Sequence, residues 1–226
     1  MKRLITGLCF VMVSVIANLN AQEQGSILIS GSLKYKISET LPEELSFLGN
    51  INAIDGYKNT QLVILPRIGF FINGNTAVGV GLGYSKNETE FKDGSEKETL
   101  TSPRLIIEPF IRHYKSLGEK ANLFVDASVS YRSGTDKDRY TDSDYPEDNE
   151  SSELENSEFG ISISPGLTYK VADRVAIELT VGKLSYSKFE SKPKGAPSDF
   201  AFKNTNYGLD LDLKHVMVGI ELYLSR

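Results

Sequence analysis

Phe159-Gly160-Ile161-Ser162-Ile163-Ser164-Pro165-Gly166-Leu167-Thr168-Tyr169 alternates without a break between a bulky apolar residue and a small one. Successive side chains of a strand point to opposite faces, so this run builds one face of Phe, Ile, Pro, Leu and Tyr and another of Gly, Ser and Thr. A sheet with its second face in water would carry Lys and Glu there. The small second face needs a different surrounding, and that need decides the fold.

Seven further segments repeat the period. The first sets Ile27, Ile29, Leu33, Tyr35 and Ile37 against Ser26, Ser30, Ser32, Lys34 and Lys36. In the second, Leu62, Ile64, Pro66, Ile68, Phe70 and Ile72 oppose Arg67 and Gly69, with Val63, Leu65 and Phe71 blurring the contrast. The third opposes Val78, Val80, Leu82 and Tyr84 to Ala77, Gly79, Gly81, Gly83 and Ser85. The fourth opposes Leu105, Ile107, Pro109 and Ile111 to Arg104, Glu108 and Arg112. The fifth opposes Leu123, Val125, Ala127, Val129 and Tyr131 to Asn122, Asp126, Ser128, Ser130 and Arg132. The quoted run is the sixth. In the seventh, Val175, Ile177, Leu179 and Val181 face away from Glu178 and Thr180. The eighth closes the chain with Val216, Val218, Ile220, Leu222 and Leu224 opposite His215, Met217, Gly219, Glu221 and Tyr223. Its earlier part, Leu209, Leu211 and Leu213, has the opposite phase, which predicts a bulge near Lys214.

The connections alternate in length. Residues 73–75, 114–121 and 171–174 are short, whereas 38–60, 86–101, 133–157 and 187–208 are long and polar. Ordinary hairpin loops run about 2–5 residues. The spacing predicts eight strands with three tight turns at one end, four long loops at the other, and both termini at the tight-turn end.

The chain has 226 residues, 40% of them hydrophobic and 24% charged, with a net charge of -5. That suits one domain, or at most two small ones. A mean hydropathy of -0.23 and the lack of a second long apolar run exclude a bundle of membrane helices. The acidic balance argues against a nucleic-acid partner. Lys2 and Arg3 precede an apolar stretch over residues 4–17, then a polar region containing Ala21, the pattern of a cleaved secretory signal peptide. Cys9 lies early in that stretch and behind Leu8, which does not fit a lipidation site. The organisation read here is a signal peptide over 1–21 and one barrel domain over 22–226. The exported part holds no Cys, so its stability rests on backbone pairing and burial.

Alternation alone does not say which face points outward. The charges that occupy the small-residue faces are sparse: Arg67, Glu108, Arg112, Asp126, Arg132, Glu178 and Glu221. Small residues on some strands leave room for long charged chains reaching across from others, and an eight-stranded barrel is just wide enough to be filled by side chains. The apolar face then meets lipid, where a sheet must close on itself because hydrocarbon satisfies no free N–H or C=O. Tyr35, Tyr84, Tyr131 and Phe159 stand towards the long-loop end, with Phe70 and Tyr169 towards the other, as two interfacial girdles would require.

The stretch from Pro66-Arg67-Ile68-Gly69-Phe70 through Asn73-Gly74-Asn75-Thr76 to Gly79-Val80-Gly81-Leu82-Gly83-Tyr84 resembles the second and third strands of small outer-membrane β-barrel proteins of the OmpA/OmpX-like, porin-like kind. Glu108-Pro109-Phe110-Ile111-Arg112-His113-Tyr114, the strand from Phe124 to Tyr131, and Ile163-Ser164-Pro165-Gly166-Leu167-Thr168-Tyr169 are similar to that family as well. The resemblance implies an all-β fold: an eight-stranded antiparallel up-and-down transmembrane barrel with short periplasmic turns and long extracellular loops. It also implies a bacterial outer membrane and insertion by the barrel-assembly machinery.

No motif for catalysis or a cofactor is found. His113 and His215 fall on distant parts of the pattern, and there is no phosphate loop, nucleophile elbow or HExxH. Residues 133–157 hold nine acids against Lys137 and Arg139, making Asp142, Asp144, Glu147 and Asp148 a candidate cation-binding cluster, though without the spacing of an EF-hand. Lys188, Lys192, Lys194 and Lys203 place basic charge in 187–208, where lipopolysaccharide phosphates or water would meet it. The expected protein is a monomeric, non-enzymatic outer-membrane barrel with an ionic plug, acting structurally or through an extracellular ligand at its loops. The alternatives are a narrow channel for ions or small solutes, and a soluble lipocalin-like carrier of an apolar ligand.

Overall fold

The computed structural model describes residues 24–40, 56–210 and 217–224. The stretch expected to be a signal peptide (1–21), Lys214, His215 and residues 41–55 of the first loop lie outside them. Among the described residues there are ten strands: β1 (Ile27–Thr40), β2 (Gly56–Asn73), β3 (Thr76–Asp93), β4 (Glu96–Ser116), β5 (Ala121–Asp142), β6 (Glu150–Ala172), β7 (Val175–Thr180), β8 (Lys183–Pro193), β9 (Phe202–Asp210) and β10 (Met217–Leu224). Two short 3-10 turns, Pro146–Asp148 and Ser198–Phe200, cap hairpins. No helix among the described residues is long and apolar enough to cross a membrane.

Eight strands form a ring, in the order β1, β2, β3, β4, β5, β6, β7, β10 and back to β1, with every pairing antiparallel. The ring closes where Ile27, Leu28 and Ile29 of β1 face Leu224, Tyr223 and Leu222 of β10. The remaining two strands extend the wall. β7 lies along the Gly166–Ala172 part of β6 and β8 along its Leu154–Ile163 part, with β9 beside β8. The seventh segment of the sequence is β7, and β8 carries the chain on into residues expected as loop; Leu209 of the eighth segment lies in β9 and its last residues form β10. β7 and β8 are separated at Val181-Gly182, where Gly182 takes a φ of +78° open to glycine at little cost.

The faces are inverted relative to a water-soluble protein. Leu33, Ile68, Phe70, Leu82, Leu105, Ile107, Ile161, Ile163 and Ile220 are exposed, while Glu108, Arg112, Asp126 and Glu221 are buried in the bore. Burying apolar surface stabilises a chain in water by roughly 25 cal/mol per Å². The exposed aliphatics on every ring strand would therefore be costly to leave in water. Glycines on the inner face let bulky neighbours in: a Cβ on Gly166 would collide with the Phe124 ring, and one on Gly79 with the β2 backbone.

The loops are shorter than the sequence suggests, because the strands are longer. Gly94 and Ser95 alone separate β3 from β4, where a sixteen-residue loop over 86–101 is expected from the pattern. β5 and β6 remain paired up to Tyr140 and Glu150, and β8 and β9 up to Ser191 and Phe202. Hydrophobic alternation stops at the aromatic level because both faces beyond it meet water, but the backbone ladder continues. Cross-strand ion pairs line these extensions: Lys58–Glu39 at 2.9 Å, Lys97–Glu90 at 3.2 Å and Lys192–Glu155 at 3.2 Å. The three tight turns all lie at the other end, between β2 and β3, β4 and β5, and β6 and β7.

Candidate functional site

The bore is filled in two layers. At the tight-turn end, Phe71, Tyr114, Phe124 and Tyr223 come inward from β2, β4, β5 and β10 and pack with Leu28, Ala77, Phe110 and Ala176. Ring centroids stand 5.6 Å apart for Phe71 and Tyr114, 6.1 Å for Tyr114 and Phe124, and 6.2 Å for Phe71 and Tyr223. Tilted aromatic pairs at such separations add to the burial of their area. The sequence pattern hid this floor among polar positions, yet each ring keeps the phase of a charge: Phe110 and Tyr114 flank Arg112 by two residues, Phe124 precedes Asp126, and Tyr223 follows Glu221.

An ionic deck rests on that floor. Arg67 Nη1 donates to Asp126 Oδ2 at 2.9 Å, and Arg67 Nη2 donates to Glu108. Arg112 Nε donates to the same Asp126 oxygen at 2.8 Å. Its Nη1 serves both Glu178, at 2.7 Å, and Glu221, while Nη2 reaches Glu178 at 3.2 Å. Glu221 is completely buried and also accepts from the hydroxyls of Tyr114, at 3.0 Å, and Tyr223. The guanidiniums are stacked as well: Arg112 lies 4.2 Å from the Phe124 centroid and Arg67 4.7 Å from that of Phe110. Arginine fits this place because its planar fork bonds carboxylates while its face packs on a ring. Taking such ions out of water is costly unless each is paired and hydrogen-bonded, and here five strands supply the partners.

Of the seven charges read from the sequence, Arg67, Glu108, Arg112, Asp126, Glu178 and Glu221 meet in this deck. Arg132 does not. It sits half-buried further from the tight turns, 3.6 Å from Glu158, on the level where Arg104 pairs with Asp136. Glu158 escaped the sequence reading because it ends the alternating run just before Phe159, and Asp136 because it lies in what reads as a loop.

The acidic stretch is largely engaged in local structure. Asp142 Oδ1 accepts the backbone N–H of Asp144 at 2.8 Å and of Tyr145 at 3.4 Å, a turn-forming role. Glu147 is exposed, and the Asp148 side chain lies outside the described part. Among the described residues no group of three or more His, Cys, Asp or Glu side chains is placed to hold a metal ion. Glu153 takes Lys194 at 2.6 Å and Lys137 at 3.6 Å, which holds its carboxyl below the ordinary range, the Lys194 hydrogen bond contributing most. Lys203 pairs with Glu190 at 3.4 Å. His113 Nδ1 lies 3.0 Å from the Thr76 hydroxyl, at the exposed tight-turn end.

No protein-family profile and no curated protein matches the chain. Among solved structures it is similar to the outer membrane protein OprG from Pseudomonas aeruginosa, at 10% identity and a TM-score of 0.47, covering 92% of this chain and 100% of that one. It is similar to the N-terminal β-barrel domain of Pseudomonas aeruginosa OprF, at 14% identity and 0.36, covering 90% and 100%. A major outer membrane protein from Thermus thermophilus is similar at 10% identity and 0.44, covering 89% and 100%. No residue role passes from any of them to this chain.

Proposed function

We propose that this chain is a monomeric eight-staved up-and-down barrel of a bacterial outer membrane, exported by the signal peptide over 1–21 and closed to solutes by its ionic deck and aromatic floor. Counting β7 with β8 as one stave, and β9 with β10 as another, gives the eight. The observation that carries the reading is the buried pairing of Arg67 and Arg112 with four carboxylates directly above four packed rings. Such a layer is a structural stopper, so the protein acts without catalysis, as a wall component or through the hairpins it raises on the external side. Lipid, lipopolysaccharide and the barrel-assembly machinery are its partners in this reading. A soluble carrier of an apolar ligand is disfavoured by a bore lined with charge and an exterior lined with aliphatics.

The test is conductance of the purified barrel in planar bilayers, after confirming that gel mobility shifts only on boiling. A stoppered barrel gives no discrete openings across the usual voltage range. Regular openings of one size would replace this reading with that of a narrow ion channel.

A further inference from the structure

The external half of the β6–β8–β9 wall carries a groove of about 460 Å³ on its lipid-facing side. Its two banks are cross-strand rows fixed by register, Ile161–Tyr186–Tyr207 towards the hairpins and Ile163–Leu184–Leu209 towards the tight turns. Its floor is the backbone between them, at Ser162, Ser185 and Gly208. The rings of Tyr186 and Tyr207 stand 5.1 Å apart at the upper bank. The next row up on the same face is Phe159–Lys188–Thr205.

Lys188 is exposed, and among the described residues no acid lies within ion-pair distance of it, whereas Lys192, Lys194 and Lys203 are all paired. β3 provides a built-in contrast. There Tyr84 is exposed and Lys86 follows it by two residues, as Lys188 follows Tyr186, but Lys86 is bonded to Glu88 at 2.6 Å. One wall thus neutralises its interfacial lysine, and the other leaves it over an apolar groove.

We propose that the β6–β8–β9 wall binds one anionic membrane lipid, with an acyl chain in the groove and the headgroup phosphate against Lys188. The inference rests on the membrane reading of the barrel. A lysine whose stem runs along apolar surface keeps its ammonium at headgroup depth, where phosphate is the available anion. Tyrosines suit the boundary between chain and headgroup. The apolar banks, the aromatic rim and the free cation follow one another in the order of the parts of such a lipid.

The chain contains no Trp, so a single introduced indole reports one place. Tyr186→Trp and Tyr84→Trp, each checked for heat-modifiable mobility, are reconstituted in phosphatidylcholine vesicles holding a minor fraction of brominated phosphatidylglycerol. The expected result is quenching at position 186 stronger than at 84 by a factor on the order of five, the size of one lysine's attraction to an anionic surface. Lys188→Gln on the Tyr186→Trp background should remove the excess. Brominated phosphatidylcholine should quench both positions equally. Equal quenching by the anionic lipid, an excess that survives Lys188→Gln, or an excess with the zwitterionic lipid would each overturn the site. Quenching at neither position would instead overturn the membrane reading beneath it.

Discussion

The bore near the tight turns and the hairpins at the opposite end are parts of one antiparallel ladder, and both are rich in ion pairs, but the pairs do different things. Arg112 is 2% exposed and Glu221 not at all, so their charges have no solvent to fall back on. Lys192 and Glu155 are 34% and 40% exposed, so water can reach either when the other is removed. A cation–carboxylate pair is thus a structural necessity in one region and an ornament of solubility in the other. What differs is the environment, set by which strands enclose the pair.

Breaking the deck should produce the largest effect. Arg112→Ala leaves Asp126, Glu178 and Glu221 without their common partner and should lower unfolding stability in detergent by about 3–5 kcal/mol, the usual cost of stranding buried charge. Denaturant titration followed by loss of heat-modifiable mobility measures it. Overfilling the floor comes next. Gly166→Val drives a side chain into the Phe124 ring and should cost about 1–3 kcal/mol in the same titration, with a paired Phe124→Leu change restoring part of it. Lys192→Ala, in the hairpins, should fall within about 0–1 kcal/mol of the parent, as exposed pairs do. An equal loss at Arg112 and Lys192 would erase the contrast between the regions.

The smallest effect expected is a local one with pH. The Glu153 carboxyl is held below its ordinary value of 4.5, chiefly by the Lys194 hydrogen bond. Its contribution is therefore present in full above pH 4.5 and lost as pH falls through the lowered value. The Lys194 amide, bonded to the Glu153 carbonyl at 3.1 Å, should lose exchange protection on acidification before the deck does.

The inner-outer alternation of residues 159–169 was legible because lipid on one side and a crowded bore on the other give each position a distinct chemical demand. The six charges of the deck stood out in the sequence for the same reason, as isolated ions on otherwise small faces. The hairpin strands were not. Thr99, Thr101 and Lys97 on β4 continue the ladder, but water on both sides imposes no period on the side chains. The aromatic floor was missed because Phe71 and Phe110 are apolar residues on the face read as polar, where only phase with Arg67 and Arg112 betrays them. The interruption at Val181-Gly182 rests on one backbone conformation, which a glycine permits but does not announce.

The central claim is that aliphatic residues of the sixth segment face lipid while their neighbours face the bore. The only Cys is Cys9, within the proposed signal peptide, so single cysteines can be placed along 159–169 of the exported chain and spin-labelled in vesicles. The account predicts high oxygen and low nickel-chelate accessibility at 161, 163 and 167, with the label at 162, 164 and 168 immobilised and shielded from oxygen. The opposite phase, or accessibility to the aqueous chelate at the odd positions, would contradict it.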